Sequence, residues 1–429
     1  MTVRARVQRR SPRSTGRSIP SLARLVRRGR VLVLKTSSAA PVPFRLDTPR
    51  HAAVGALLLA AGWNDRACSR AQGGSVYRVI QWTTGNVGRR AVRAIVEHPE
   101  LELVGLFAHA DGKLGRDAGE LCGLPPLGVR ATNDVDALLA LRADCVNYNG
   151  LFPDVDGIER FLSAGTNVVT TSGMVTGKNL GIAARLERAA LAGRASIFGS
   201  GINPGFMNML PVVLTALTDR VHSISMTETA DVRNYPSAGS WETFGWGKPL
   251  GHQMQAMDAN PMNAVFLDGL DWMADALGIE LSDHKVETDY AIATRDIELP
   301  WMRFPKGTVA GQRISWKGFA QGRCVVRCTV AWKMGEDLEP NWSAPQGYEI
   351  VIEGEPRIRT VVELEQPTLP GLSREGDRMD LIMISTAMPP IHAIPHVCRA
   401  RPGIVTYSDL PAMGARGLVV GSAGDSSRG

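Results

Sequence analysis

Thr83, Gly85, Asn86, Val87, Gly88 and Arg89 form the cluster whose residue types and spacing point most directly to a chemistry, the binding of an anion. They lie in the run Tyr-Arg-Val-Ile-Gln-Trp-Thr-Thr-Gly-Asn-Val-Gly-Arg-Arg-Ala-Val-Arg-Ala-Ile-Val-Glu-His-Pro at 77–99. That run reads as a buried strand, a glycine turn and a helix stopped by Pro99. Gly85 allows a tight turn without a Cβ clash, and Gly88 allows the helix to pack closely on the strand. The first-turn amides of such a helix point unpaired N–H groups outward, where a pyrophosphate can accept them. Thr83 stands where the G-x-G-x-x-G fingerprint has its first glycine, so the match is imperfect. Arg89 and Arg90 add context, because positive charge in a first turn opposes the helix dipole unless an anion is present. The competing reading is a pair of solvated arginines on a surface helix.

A phosphate site of this kind needs a rigid frame, and the pattern after residue 76 supplies one. Apolar runs at 79–82, 103–107, 145–148, 168–170 and 196–198 read as buried parallel strands. Helical segments at 89–97, 134–141, 157–163 and 180–192 separate them. The alternation predicts an α/β fold, a Rossmann doubly wound parallel sheet over 76–205, with its ligand at the carboxyl ends of the strands. After Asn203-Pro204-Gly205 the texture changes. A helix is expected around 207–217, then strands at 223–229, 324–332, 348–353 and 357–364, interrupted by a helical stretch at 261–277. This predicts a second α+β domain with a mostly antiparallel sheet, residues 206–380, serving substrate binding and oligomerisation. Helical patterning at 380–388 and 391–398 predicts C-terminal helices, within 381–418, that return to the first domain. The Gly/Ser-rich 419–429 reads as a disordered tail. Residues 234–249, rich in Gly and Trp, read either as a lid or as a long surface connection. Met254, Met257, Met262 and Met273 read as core or dimer contacts, and a homo-oligomer is expected.

The net charge of +6 hides an asymmetry: residues 1–75 carry +13 and the remaining 354 residues −7. The basic excess belongs to the leader, so no nucleic-acid partner follows from it. Residues 1–75 lack sustained periodicity and read as a disordered basic leader with three origins open. These are a transit peptide, a basic arm, and a mis-assigned start in a GC-rich genome, where the 40 Arg to 8 Lys ratio and Val76 before the first strand fit a GTG start. The uncharged apolar run at 52–63 is too short to span a bilayer. Six scattered cysteines, with Cys324 and Cys328 on one strand face and no zinc-type spacing, predict a reduced cytoplasmic protein without a structural metal.

Residues 77–88, Gly115-Arg116-Asp117-Ala118-Gly119-Glu120-Leu121 and Thr170-Thr171-Ser172-Gly173 resemble the nucleotide domain of dihydrodipicolinate reductases. From about 77 to 411 the chain is similar to the group of 2,4-diaminopentanoate dehydrogenase and NAD(P)H-dependent amine dehydrogenase homologues. Gly199-Ser200-Gly201-Ile202-Asn203-Pro204-Gly205-Phe206 and Ala393-Ile394-Pro395 carry that second likeness. One departure stands out. Where dihydrodipicolinate reductases place a histidine pair and a lysine, this chain reads Glu228-Thr-Ala-Asp231-Val-Arg233-Asn-Tyr235-Pro236-Ser237. The resemblance implies hydride transfer between NADP or NAD and a C–N carbon of a small amino acid or imine. After the second strand the tip is Ala108-His109, with acid only at Asp111; His109, Lys113 and Arg89 would suit a 2′-phosphate, which leans to NADP. The other reading of His109 and Lys113 is ordinary loop residues. Asn147, Thr171 and Ser172 follow later strands, where the nicotinamide carboxamide finds partners. Asn203, Gly205 and Arg233 are candidates to hold substrate, the first two its carboxylate. Glu228, Asp231 and Tyr235 are the catalytic candidates, for the ammonium and its proton. A surface-strand role for Glu228 stays open, as do a reductase with a replaced proton donor and a silent dinucleotide-binding sensor.

Because the leader offers no patterned core face, a chain beginning at Val76 is expected to fold and bind dinucleotide as the full chain does. Melting curves and a nucleotide titration check this; a loss of several degrees on truncation counts against it.

Overall fold

Alternate residues of the first strand point to opposite faces, and both faces are apolar. Val79 joins one core with Ala91, Ile95, Cys145, Val169 and Phe198, while Ile80 and Trp82 join another with Val146, Phe161 and Ile197. A strand buried on both sides needs helices above and below, and the chain provides them. The computed structural model describes residues 76–418 apart from 244, 253–260, 343–345 and 368–377. The leader, the tail, Met254 and Met257 lie outside the described residues.

The first sheet is built from β1 (Tyr77–Trp82), β2 (Leu101–Phe107), β3 (Ala131–Thr132), β4 (Cys145–Tyr148), β5 (Asn167–Thr170), β6 (Ser196–Gly199) and β16 (Gly403–Val405). Its spatial order is β16-β6-β5-β4-β1-β2-β3, parallel throughout. Between strands run α1 (Gly88–Glu97), α2 (Ala118–Cys122), α3 (Val135–Ala140), α4 (Val155–Ser163) and α5 (Ala183–Gly193). Order reverses between β1 and β4, so the switch-point crevice opens beside the glycine turn. Asp134 and Asp154 cap α3 and α4 by accepting from Ala137 and Gly157 amides at 3.0 and 3.1 Å.

The second sheet has seven strands in the order β13-β8-β11-β12-β7-β14-β15. They are β7 (Arg220–Asp231), β8 (Asp283–Ala293), β11 (Val309–Ala320), β12 (Arg323–Lys333), β13 (Leu338–Glu339), β14 (Gly347–Glu355) and β15 (Ile358–Val362). Only β7 and β12 pair in parallel; the rest are antiparallel. Its inner face carries Ile224, Met226, Ile314, Trp316, Val330 and Ile350 against α6 (Met207–Leu214) and α8 (Pro261–Ala276). Phe266 stacks on Trp316 at 4.1 Å between ring centroids. A short helix, α7 (Ala238–Thr243), and a small hairpin of β9 (Ile297–Leu299) and β10 (Met302–Phe304) complete this half.

The C-terminal segment departs from the expected pair of helices. Residues Arg378–Val397 form one helix, α9, running through Pro389, Pro390 and Pro395. Ala387, Ile391, Ile394 and Val397 of α9 are fully buried in the core that contains Val79 and Phe198. That burial holds the helix together across prolines that would break an exposed one. The long strands β8 and β11 lie in a stretch where polar residues at every second position mask the apolar face.

Candidate functional site

The glycine turn between β1 and α1 differs from its expected mechanics in one respect. The left-handed residue is Thr83, with φ of 72°, while Gly85 has no positive φ. Thr83 is held there by its amide donating to Phe107 O at 2.9 Å and its hydroxyl donating to Asn149 O at 3.1 Å. A Cβ on Gly88 would lie 2.3 Å from the Thr83 carbonyl oxygen, so Gly88 is required for helix and turn to meet. A Cβ on Gly85 would meet nothing within 4 Å. The amides of Gly85, Asn86, Val87 and Gly88 donate to no protein acceptor among the described residues, and α1 has no acid in its first turn. Lys113 reaches over the turn, its Nζ 3.0 Å from Thr84 Oγ1. Arg89 is exposed, with one weak bond to Asn86 Oδ1 at 3.5 Å. Arg90 is committed to Asp380 of α9 and to Asn86 O. Open space beside Gly85, four unpaired donors and two cations fit a pyrophosphate. Trp82 stacks on Phe107 at 3.7 Å and packs beside Tyr148, fixing the ends of three strands around this turn. His109 is exposed and packs edge-on against Phe107.

The sheet's carboxyl edge carries a polar network in which Gln81 and Asn149, not singled out from the sequence, join Asn147, Thr83 and Thr171. Asn147 is fully buried and donates to Gln81 Oε1 at 2.8 Å and Asn149 Oδ1 at 2.9 Å. Gln81 donates in turn to Thr83 O and to Asn149 Oδ1, and Asn149 to Thr171 Oγ1 at 2.9 Å. Asn147 was expected to face the nicotinamide; its burial makes it a brace for Asn149 instead. Ser172 is 2% exposed and its hydroxyl donates to Gly150 O at 2.6 Å, so that hydroxyl is already used. Thr171 remains at the edge. Asn149, two residues beyond Asn147 at the end of β4, was readable from the Asn-Tyr-Asn-Gly pattern.

Across from this edge lies Glu228 on β7, 8% exposed. Asn203 Nδ2 donates to its Oε2 at 2.7 Å and Trp332 Nε1 to its Oε1 at 2.9 Å; the Tyr348 hydroxyl is a third donor. Asn203 leaves the end of β6, so this bond joins the carboxyl edge of the first sheet to the middle of the second. Burial pushes the Glu228 carboxyl upward from its ordinary pKa, while the three donors pull the other way. Asn203 Oδ1 is buried without a donor. Trp332 and Tyr348 were missed because strand register brings them to Glu228: Tyr348 pairs with Glu228 itself, and Trp332 with Ala230.

Four further candidates, Asp231, Arg233, Gly205 and Tyr235, are engaged in other contacts. Asp231 is three residues along β7 from Glu228, hence on the opposite sheet face, and binds Arg233 through Nε at 2.9 Å and Nη2 at 2.6 Å. Each neutralises the other, so neither serves the buried carboxylate. The Gly205 amide donates to Asn208 Oδ1 at 2.8 Å and Phe206 N to Gly201 O. The expected anchor for a substrate carboxylate is therefore already occupied. Tyr235 sits in an aromatic wall: its ring meets Trp241 edge-on, Trp241 meets Trp332, and Trp332 reaches Glu228. Trp241 and Trp246 are 3% and 0% exposed, so these two indoles of 234–249 are packed inward. One apolar cavity of about 890 Å³ lies apart from Glu228, lined by Met209, Leu210, Met388, Leu410 and Met413 among others. Among the described residues no group of His, Cys, Asp and Glu is arranged to hold a metal. Their five cysteines are all free thiols, and no helix is long and apolar enough to cross a membrane.

Comparison with known proteins finds relatives for both halves of the chain. Residues 206–417 match the family model of the 2,4-diaminopentanoate dehydrogenase C-terminal domain, and residues 79–147 that of the dihydrodipicolinate reductase N-terminus. An amine dehydrogenase of Streptomyces virginiae is 29% identical over 357 residues, covering 79% of this chain and 97% of the relative. The 2,4-diaminopentanoate dehydrogenase of Acetoanaerobium sticklandii is 26% identical over 54% of this chain and 61% of its own length. The amine dehydrogenase structure from Mycobacterium smegmatis superposes with a TM-score of 0.66 at 19% identity, covering 79% of this chain and 97% of that one, and shows the shared fold. The chain joins a dihydrodipicolinate-reductase-type nucleotide domain to a diaminopentanoate-dehydrogenase-type second domain.

The two turn glycines are expected to separate binding from folding. Gly85→Val should keep the melting temperature and weaken dinucleotide binding about tenfold or more, since it fills only the open side of the turn. Gly88→Val should lower the melting temperature markedly through its clash with Thr83. Calorimetric titration beside thermal melting reads both; unchanged binding in Gly85→Val would remove the pyrophosphate from this turn.

Proposed function

We propose that this protein is an NAD(P)-dependent oxidoreductase that interconverts an amine and its imine, with Glu228 as the group that meets the substrate nitrogen. The supporting observation is the Asn203–Glu228 bond of 2.7 Å, which holds a buried carboxylate against the carboxyl edge of the nucleotide-binding sheet. The names of the two curated relatives point the same way. The dinucleotide supplies or accepts the hydride. Everything else is positioning. Gly85 to Gly88, Lys113 and Arg89 bind phosphate; Asn149 and Thr171 border the nicotinamide side; Trp332, Trp241 and Tyr235 form an apolar wall that keeps water from the reacting carbon.

The charge balance explains what Glu228 does. An ionised carboxylate stabilises an ammonium or iminium nitrogen, and it accepts a proton when an amine must be neutral before losing hydride. Trp332 and Asn203 each offer Glu228 an N–H, which stabilises the ionised form inside a buried site. The Tyr348 phenol is kept protonated by burial and by the adjacent Glu228 charge, so it stays a donor. Among the described residues, the cations nearest along these strands are already engaged: Arg233 is bound by Asp231, and Lys333 by Glu336 at 2.8 Å. Recognition through nitrogen and an apolar body is favoured over recognition through a carboxylate. That argues against dihydrodipicolinate, as does the lack of His and Lys at 228–237. The preferred dinucleotide is NADP, on the lack of an acid at the tip of β2 and the presence of His109, Lys113 and Arg89 around the turn.

NADPH formation is the assay, run at alkaline pH across a panel of simple amines, 2,4-diaminopentanoate and other amino acids, with NADPH consumption on imines and dihydrodipicolinate in parallel. Glu228→Gln should leave dinucleotide affinity intact and lower turnover about 10²-fold. The variant should fold, because Asn203 can flip its amide and offer its unpaired Oδ1 to the new N–H₂. Tight binding without turnover on the whole panel would sink the enzymatic reading.

A pH series gives an independent check. Since burial raises the folded-state pKa, the Glu228 contribution to stability is complete below its unfolded value and is lost as pH rises through the folded one. Melting of Glu228→Gln relative to the parent should therefore improve between pH 4 and neutrality. The acid limb of the amine-oxidation rate should lie above the ordinary glutamate range and be absent from the variant.

A further inference from the structure

Among the described residues Asp268 is the second buried acid, and nothing about the proposed chemistry uses it. Its side chain, on α8 of the second domain, is completely buried. Among the described residues no cation pairs with it. Its Oδ2 accepts the backbone amides of Val175, Thr176 and Gly177 at 2.8, 2.6 and 2.8 Å. Its Oδ1 accepts the Thr176 hydroxyl at 2.5 Å and the amides of Lys178 and Asn179 at 3.1 and 3.4 Å. Six donors from five consecutive residues enclose one carboxylate, so the loop after β5 is wrapped around it. The same face of α8 continues the seam: Asp271 accepts from Asn179 Nδ2 at 2.7 Å, and Asp275 pairs with Lys178 at 3.3 Å.

This loop begins with Thr171 and Ser172 at the carboxyl edge of the first sheet. Its first residues are held by that sheet, through Thr171 N to Tyr148 O and Ser172 Oγ to Gly150 O. Its continuation is held by α8 through Asp268, while Met174 packs in the core of the first sheet and Gly177 O accepts the Ile182 and Ala183 amides. A second side of α8 secures the segment that carries Asn203: Asn208 donates to Met273 Sδ at 3.3 Å and accepts the Gly205 amide. One helix thus contacts both walls, the loop bordering the nicotinamide and the segment whose Asn203 binds Glu228.

We infer that Asp268 is a positioning residue that locks the nicotinamide-side loop, residues 171–179, to the substrate domain, so that the nicotinamide end of the bound dinucleotide is ordered by the second domain. The inference rests on the dinucleotide reading above. The phosphate turn and the residues around β2 lie on other strands and share no contact with Asp268, so the two ends of the dinucleotide respond separately to its loss. A carboxamide in place of the carboxylate turns an N–H₂ toward amides that need an acceptor and opens the loop.

Calorimetric Kd values for NADP⁺ and for 2′-phospho-ADP-ribose, which lacks nicotinamide, test this on the full chain, with amide hydrogen exchange at 175–179 alongside. The parent should bind NADP⁺ more tightly than the fragment. Asp268→Asn should cut that advantage about tenfold, leave the fragment within about twofold, and lose protection at 175–179. Thr176→Val removes one donor only and should show a smaller loss in the same direction, and it carries the test where Asp268→Asn does not fold. An unchanged NADP⁺-to-fragment ratio in the variants, or equal weakening of both ligands, overturns the inference. So does a parent chain that binds both ligands equally well. A parent chain that binds neither these ligands nor NAD⁺ overturns the dinucleotide reading and this one with it; where NAD⁺ alone binds, the same ratio is read with NAD⁺ and ADP-ribose.

Discussion

A carboxylate removed from water destabilises a fold by several kcal/mol unless other donors replace its hydration shell. Glu228 has its shell rebuilt from an amide, an indole and a phenol, and each comes from a different part of the chain. Asn203 must leave the first sheet at an angle that reaches β7. Trp332 and Tyr348 must arrive through the registers of β12 and β14 on either side of it. A slip of one residue in either strand would turn the donor to the far face and leave the charge without it. The geometry of the second sheet is therefore tied to one side chain, and so is the approach of the two sheets to each other.

The parts of this arrangement that were legible in the sequence are those set by local chemistry. Strands β1, β2, β4, β5 and β6 announce themselves as short apolar runs, because a parallel sheet covered on both faces needs nothing else. The glycine turn is local too, although the left-handed position fell on Thr83 and the open one on Gly85. Glu228 stood out by its place after the domain change. Its partners did not. Trp332 and Tyr348 lie more than a hundred residues away, and only strand pairing brings them near. Asp231 and Arg233 looked like site residues for the opposite reason: proximity in sequence to Glu228 hides the period-two alternation that sends Asp231 to the other face, where Arg233, just past the strand end, binds it.

Two buried carboxylates are satisfied here in two different ways. Glu228 is surrounded by side chains, which rotate and can exchange one partner for a ligand. Asp268 is surrounded almost wholly by backbone amides, which move only if the loop moves. The first arrangement suits a group that changes protonation state or partner during a reaction. The second suits a fixed joint. That contrast, more than burial itself, separates the acid expected to meet substrate from the acid expected to hold the architecture.

The return of α9 and β16 to the first sheet has a consequence for how this chain is made. Val169 and Phe198 share a core with Ile391, Ile394 and Val397, and β6 has β16 as its outer neighbour. During synthesis, that half of the sheet emerges from the ribosome with an apolar face and an open edge. Both stay uncovered until the whole second domain has been translated. The nucleotide-binding half is thus the first to appear and the last to be completed, and the nascent chain must keep a sticky surface out of trouble for roughly two hundred residues of elongation.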